Sequence, residues 1–272
     1  MNNFIFKATV AITLCVGLFA SQAIAVEKKV NCNLNQSLQH AVDTAPPESS
    51  DIFYIQFKGT CEERVVIRRD NTRIDGGGIG TIIGTVSVLQ SNNVWLQNLT
   101  VTGPSNGVRV TGGSAILDGV TVTENQLDGI LVQRQGSVSV RGGTVISGNG
   151  NSGAFIDASF LETNDATFEG NSIDGILAVS GSKVILANAR LLGNQGAGVA
   201  ATLHSIVDIR SDTQIANNGY GGLGVLARLD SGVWISGEEN VEITDRIQCE
   251  DYESSFHTDH YWPAGPVWCS GF

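Results

Sequence analysis

The sequence predicts an all-β fold: a parallel β-helix wound in the right-handed sense, closed by a short N-terminal helix and by an irregular, disulfide-closed C-terminal cap. Three recurrences predict it. A small residue, a glycine and an apolar residue follow one another at Asn106-Gly107-Val108, Asp128-Gly129-Ile130, Ser152-Gly153-Ala154, Asp174-Gly175-Ile176 and Ala197-Gly198-Val199. An asparagine recurs in step at Asn125, Asn149, Asn171, Asn194 and Asn218, with spacings of 24, 22, 23 and 24 residues. Three residues before each asparagine stands an apolar residue: Val122, Ile146, Phe168, Leu191 and Ile215. A period of this length belongs to a stacked repeat, in which each unit buries its apolar face on the next.

The first 25 residues read as an export leader, not as part of the fold. Lys7 is the only charge in Met1–Ala25, an apolar run spans Ala8 to Ala20, and Ala23-Ile24-Ala25 is a small-residue cleavage site. The run is too short for a membrane span and its end is polar. Cleavage leaves 247 of the 272 residues and, with Lys7 gone, moves the net charge from −11 to −12. The expected location is the periplasm or the extracellular space, with no membrane insertion once the leader is removed.

Residues 26–64 are assigned to an N-terminal cap. A solenoid end exposes raw core and sheet edge and needs a cover. Asn33-Leu34-Asn35-Gln36 fits a capping box with Asn33 as the cap. Leu34, Leu38, Ala41, Val42 and Ala45 follow at helical spacing, and Pro46-Pro47 stops the helix. A strand is expected over Ile52–Phe57.

Residues 65–246 carry the repeat. In the coil from Gly129, Ile130-Leu131-Val132 is one strand, Val138–Arg141 a second and Thr144–Ser147 a third. Strand side chains alternate faces, so one set from each strand fills a central lumen. The connections are too short for crossover helices, so parallel pairing comes from winding, which favours the right hand. The left-handed alternative usually shows a hexapeptide rhythm, which is absent. The repeat resembles that of the pectate-lyase-like superfamily, and Asn93–Val101 resembles a core coil of it, with Leu99 and Val101 facing inward. The asparagines are expected to stack in an amide ladder at one corner. The repeat glycines, with the Asn, Asp or Ser before them, are expected to serve turns with unusual backbone angles. Asp128 and Asp174 are turn residues on this reading.

Residues 247–272 leave the repeat and gather Tyr252, Phe256, Tyr261, Trp262, Trp268 and Phe272. They are read as the C-terminal cap. Four cysteines remain after the leader, an even count that favours disulfides in an exported chain. Eight coils at about 4.8 Å separate the two ends by roughly 38 Å, beyond disulfide reach. The expected pairs are therefore Cys32–Cys61 and Cys249–Cys269. His257-Thr258-Asp259-His260 is read as a solvated loop rather than a metal site.

With 42% hydrophobic and 16% charged residues the chain is ordered, not a disordered tail. Its acidity argues against nucleic acid and anionic membranes, and against long polyanions unless a local basic strip or calcium offsets the repulsion. In enzymes of the resembled superfamily the substrate lies along an outward face of the stack. The second residue after each repeat glycine is Arg109, Leu131, Phe155, Leu177, Ala200 and, one coil on, Leu226. Apart from Arg109 this row is apolar and holds none of the carboxylates, bases or metal ligands of a catalytic cleft. Such a stripe is unusual on a monomer. It is covered by the aromatic tail or by a partner or ligand, or it serves as a platform for sugars.

Leu131, Phe155 and Leu177, with Arg134 and Arg228, are accordingly the candidate ligand-binding residues. Asp157, His204 and Asp230 are the catalytic candidates. In a lyase, Asp157 or Asp230 would hold calcium while Arg134, His204 or Arg228 took the sugar proton; the plainer reading is surface pairing between coils. The superfamily's enzymatic signatures are missing, among them paired aspartates with Gly-His-Gly, Asp-Pro-His-Glu and Arg-x-Pro-x-x-Arg. The sequence favours a non-catalytic glycan- or partner-binding or structural module needing no cofactor. The alternative is a divergent polysaccharide lyase or hydrolase.

Overall fold

The computed structural model describes residues 26–45, 51–219, 222–236, 240–250, 254–258 and 268–269. They form a parallel β-helix with two sheets, one of ten strands and one of fifteen. The ten-stranded sheet is built from short strands, among them Val108–Thr111, Ile130–Gln133, Ala154–Asp157 and Ile176–Val179. Its companion carries long strands such as Ser137–Ser147, Phe160–Glu169 and Lys183–Leu192. These bend where the backbone turns left-handed, at Gly142 and Gly143, at Asp165 and at Asn188. One long strand thus forms two walls of the lumen and one short strand forms the third. The second and third strands expected from the sequence are the two arms of one bent strand.

Stacking is in register from coil to coil. Val122 lies against Ile146, Ile146 against Phe168, Phe168 against Leu191 and Leu191 against Ile215. All five are fully buried, as are Leu99 and Val101. Burial of each large side chain contributes about 1.5–3 kcal/mol, so this column is a principal source of stability.

The asparagine corner forms the expected ladder. The Nδ2 of Asn125, Asn149, Asn171 and Asn194 donates to the Oδ1 of the next asparagine at 2.9, 2.9, 2.8 and 2.8 Å. The same oxygens accept the backbone N–H of the preceding asparagine at 3.0–3.2 Å. Asn218 Nδ2 donates to Asp245 Oδ2 at 2.9 Å, and a carboxylate closes the row. A second ladder, of serines, lies between the short strands and the next long ones. The backbone N–H groups of Ser159, Ser182, Ser205 and Ser231 donate to Ser182, Ser205, Ser231 and Ser254 Oγ.

The repeat glycines have a different cause from the one expected. Gly107, Gly129, Gly153, Gly175 and Gly198 are not among the left-handed residues. They are required because neighbouring coils approach too closely. A Cβ at Gly153 would stand 2.6 Å from the Gly175 carbonyl oxygen, and one at Gly175 2.5 Å from that of Gly198. Asp128 and Asp174 act as turn residues: each Oδ1 accepts an amide from the next coil, Ser152 N at 3.2 Å and Ala197 N at 2.7 Å. Burial raises the pKa of both carboxyls, opposed by those hydrogen bonds and, at Asp174, by the Arg228 charge.

Among the described residues the ladder starts with Val26–Asn31, which pairs in parallel with Phe53–Lys58, itself paired with the strand from Thr72. The Cys32–Cys61 disulfide is present, with Cα atoms 5.1 Å apart. The capping box at Asn33 does not form. Cys32–Leu34 is a separate 3-10 turn ending in left-handed Asn35, so Leu34 is exposed and the helix, Leu38–Asp43, starts a turn later. Ser37 is its cap, accepting His40 N–H at 3.0 Å. Glu63, two residues beyond the disulfide, accepts Leu38 N–H at 2.6 Å and Gln39 N–H at 3.2 Å. A partner distant in sequence thus displaces the local capping pattern: Gln36 instead accepts Asn31 N–H and Asn33 accepts Thr60 N–H.

The described part of the C-terminal segment keeps the repeat where loss of it was expected. Arg246–Cys249 pairs with the strand from Leu223, Ser255–Thr258 with Gly232–Ile235, and Trp268–Cys269 with Gln248–Cys249. Cys249 is disulfide-bonded and Cys269 is its register neighbour. The leader, Pro46-Pro47, and the Asp259 and His260 of the histidine cluster lie outside the described residues. Among the described residues no helix is long and apolar enough to cross a membrane.

Two outcomes test these assignments. Asn171→Ala removes the acceptor for Asn149 N and Nδ2 and should lower unfolding stability in urea by about 2–4 kcal/mol; Ser172→Ala, at an exposed neighbouring position, should stay within about 0.5 kcal/mol. For Asp174 the raised folded pKa means that stability is present at low pH and lost as pH rises through that pKa. Asp174→Asn should therefore be more stable than wild type at pH 7, with the gap closing as pH falls below the folded pKa. A constant gap would remove burial of charge as the cause.

Candidate functional site

The outward row of the short sheet is fixed by register as Ser87, Arg109, Leu131, Phe155, Leu177, Ala200 and Leu226. It divides into two parts. Toward the C-terminus it is not an exposed stripe: Ala200 and Leu226 are 4% and 6% accessible and form a small cluster with Ala197, against which Leu177 and Leu223 pack. Leu131, Phe155 and Leu177 are half-buried. Toward the N-terminus the face is polar and cationic. Arg109 Nε is buried with no hydrogen-bond partner among the described residues. Arg64 is exposed, and its Nη2 is 3.5 Å from Ser87 Oγ.

Beside this row, at the C-terminal ends of the same strands, lies a groove of about 580 Å³ lined by Arg68, Leu89, Gln90, Thr111, Gly112 and Arg134. Arg134 and Gln90 have left-handed backbones, as do Ala158, Ser180, Leu203 and Leu229 at the equivalent corners of later coils. The corner geometry is common to the stack, and what changes along it is the side chain it presents. No carboxylate lines the groove. Arg68 and Arg134 form no ion pair among the described residues, whereas Arg228 and His204, at later corners of the same sheet, each face a carboxylate. Arg228 donates to Glu250 at 2.8 Å, and His204 Nε2 stands 3.3 Å from Asp230 Oδ2 with both side chains exposed.

The sequence candidates therefore separate. Arg134 joins Arg68 in the groove. Arg228 belongs to a surface pair, made with Glu250 rather than with Asp230. His204 and Asp230 come together, but Asp157 does not join them: its register partners are Gln133 and Val179, and the strand of Val179 separates it from the coil carrying His204. No two of the candidate carboxylates are paired. Cys32, Cys61 and Glu63 come within ligand distance of one another, but the sulfurs are bonded to each other and Glu63 holds the helix start.

A further cluster escaped the sequence reading. Trp95 projects outward from the long sheet, and the guanidinium groups of Arg73 and Arg141 lie 4.4 and 4.5 Å from its ring centroid. Arg141 also pairs with Asp118 at 3.2 Å. Cation–π contacts of this kind contribute about 0.5–1 kcal/mol each when exposed. They tie together coils that the periodic pattern only places side by side. Asn93-Val94-Trp95 showed a tryptophan on a strand, but its two partners are set by the stack.

This architecture is that of a right-handed parallel β-helix. Residues 84–247 match the model of the right handed beta helix region family, and the chain belongs to that family. No curated protein matches it. Among solved structures it is similar to the pectate lyase Pel9A, with 14% identity, a TM-score of 0.53, and coverage of 91% of this chain and 83% of that one. It is also similar to the A-module of the mannuronan C-5 epimerase AlgE4 of Azotobacter vinelandii, with 15% identity, a TM-score of 0.40, and coverage of 88% and 100%. At 14% identity the likeness to Pel9A is one of fold.

Proposed function

We propose that the protein is an exported module that binds an acidic glycan along the N-terminal half of the short-sheet face without cleaving it. The observation that carries this reading is the groove holding Arg68 and Arg134 with no carboxylate in its lining. It is continued on the strand face by Arg109 and Arg64. In a chain of net charge −11, a strip of unpaired guanidinium groups is a local reversal of field, suited to carboxylate or sulfate groups at regular spacing. Coils about 4.8 Å apart present these cations in a row, as a polymer requires. The leader-like first 25 residues and the Cys32–Cys61 disulfide support export. The half-buried Leu131, Phe155 and Leu177 extend the face with an apolar floor for sugar rings or for a protein partner.

The second reading, a divergent polysaccharide lyase or hydrolase, has one observation in its favour: the His204–Asp230 pair at 3.3 Å. No further acid, base or metal-ligand set converges on it among the described residues.

Polygalacturonate, suggested by the name of the pectate lyase, is the first probe. The protein should retard it in affinity electrophoresis, with affinity falling steeply as salt rises. Arg68→Ala and Arg134→Ala should each weaken binding about tenfold, the loss of one charged hydrogen bond, while Arg228→Ala leaves it unchanged. New reducing ends or unsaturated-uronate absorbance, abolished by His204→Ala or Asp230→Ala, would establish the second reading instead.

A further inference from the structure

A second opening lies away from that face, at the N-terminal end of the long sheet. It is a cavity of about 570 Å³ between the edge strand Val26–Asn31, the strand Phe53–Lys58 and the loop from Gly76 to Ile79. The loop stands off because Gly77 and Gly78 take left-handed angles, φ 57° and 78°. The polar side chains that line the cavity are donors or amides: Lys29, Lys58, Asn31, Gln36 and Gln56; Asn31 Oδ1 is buried with no hydrogen-bond partner among the described residues. No aspartate or glutamate lines it.

The availability of these donors can be followed one by one. Lys58 and Gln56 have no side-chain hydrogen bond or ion pair among the described residues. Gln36 Oε1 accepts Asn31 N–H at 2.7 Å, which leaves its amide N–H groups free to donate. Lys29 pairs only with Glu27, at 3.3 Å, in an exposed contact that solvent screens. Asp75, the nearest carboxylate in the loop's own strand, is engaged elsewhere: it accepts from the Tyr54 hydroxyl and from Gly77 N, both at 2.8 Å. Ile79, 73% exposed with nothing packed over it, supplies an apolar wall beside the buried Phe57.

We infer that this cavity binds a small carboxylate carrying hydroxyl groups, a sugar acid. Two ammonium groups with no acid among the cavity-lining residues select an anion. The two glutamines add uncharged partners, which hydroxyls satisfy and a bare inorganic anion does not. The apolar wall gives a sugar ring a face to lie on. The cavity shares no lining residue with the arginine groove, so this inference stands apart from the glycan reading.

The test uses the whole mature chain and D-glucuronate, with D-glucose as the uncharged comparison, followed by isothermal titration. Wild type should bind glucuronate saturably and glucose not at all. Lys58→Ala should weaken glucuronate binding at least tenfold and Lys29→Ala at least threefold. Lys58→Arg should retain most of it, which separates loss of charge from loss of fold. Arg134→Ala, in the other groove, should leave it unchanged. Failure of wild type to bind glucuronate, equal binding of glucose, or unchanged affinity in Lys58→Ala would each overturn the assignment. Loss in Arg134→Ala with none in Lys58→Ala would move the ligand to the groove and overturn it as well.

Discussion

The structure depends on one constraint: successive coils lie a single strand spacing apart, about 4.8 Å, along the whole stack. At that distance a polar group buried at a corner has its counterpart in the next coil as its nearest partner. The row from Asn125 to Asn218 meets this with side chains that both donate and accept. Each Nδ2 donates toward the C-terminus, where Asp245, an acceptor, receives the last bond, and also donates back to a carbonyl of the preceding coil, as Asn194 does to Phe168 O at 3.1 Å. At the other end Gly103 stands opposite Asn125 and has no side chain to donate, and Asn125 Oδ1 is left buried without a partner. The same spacing excludes a Cβ at Gly153 and Gly175. Amide ladder and glycine column are two consequences of one distance.

That constraint also divides the labour between inside and outside. Inward positions are committed to the column of Val122, Ile146, Phe168 and Leu191, and the corners to hydrogen bonding. Outward positions in each coil are free to vary, and their chemistry changes along the stack. Near the N-terminus the short-sheet face carries Arg64, Arg68, Arg109 and Arg134 unmatched by acids. Further on it becomes apolar and then buried at Ala200 and Leu226, and Arg228 finds a carboxylate in Glu250. On this face the gradient gathers the uncompensated cations at the N-terminal end of a monotonous solenoid.

Much of the fold was legible in the sequence because the ladder demands a particular residue type once per coil. The short asparagine amide both donates and accepts sideways at such a corner, so Asn149 and Asn171 announce themselves. The serine ladder was less visible, since serine is common and its hydroxyl answers a single backbone N–H, as Ser182 does for Ser159. The helix start was misread because Asn33 and Gln36 satisfy a local rule, whereas Glu63 supplies the acceptor from across the disulfide. The site was legible only in fragments. Arg134 was a candidate ligand-binding residue from the sequence, but Arg68 lies 66 positions earlier in the numbering and joins it only through the winding. Trp95 and its arginines are hidden for the same reason. The spacing of coils can be read from one chain, but which outward side chains share a groove follows from the register.

The most direct measurement is hydrogen–deuterium exchange of the protein, followed by mass spectrometry, with and without polygalacturonate. The account predicts slowed exchange confined to the corners around Gln90, Gly112 and Arg134 and the strands that lead into them, with the later coils unchanged. Protection centred instead on the coils of His204 and Asp230, or on the long sheet around Trp95, would contradict it.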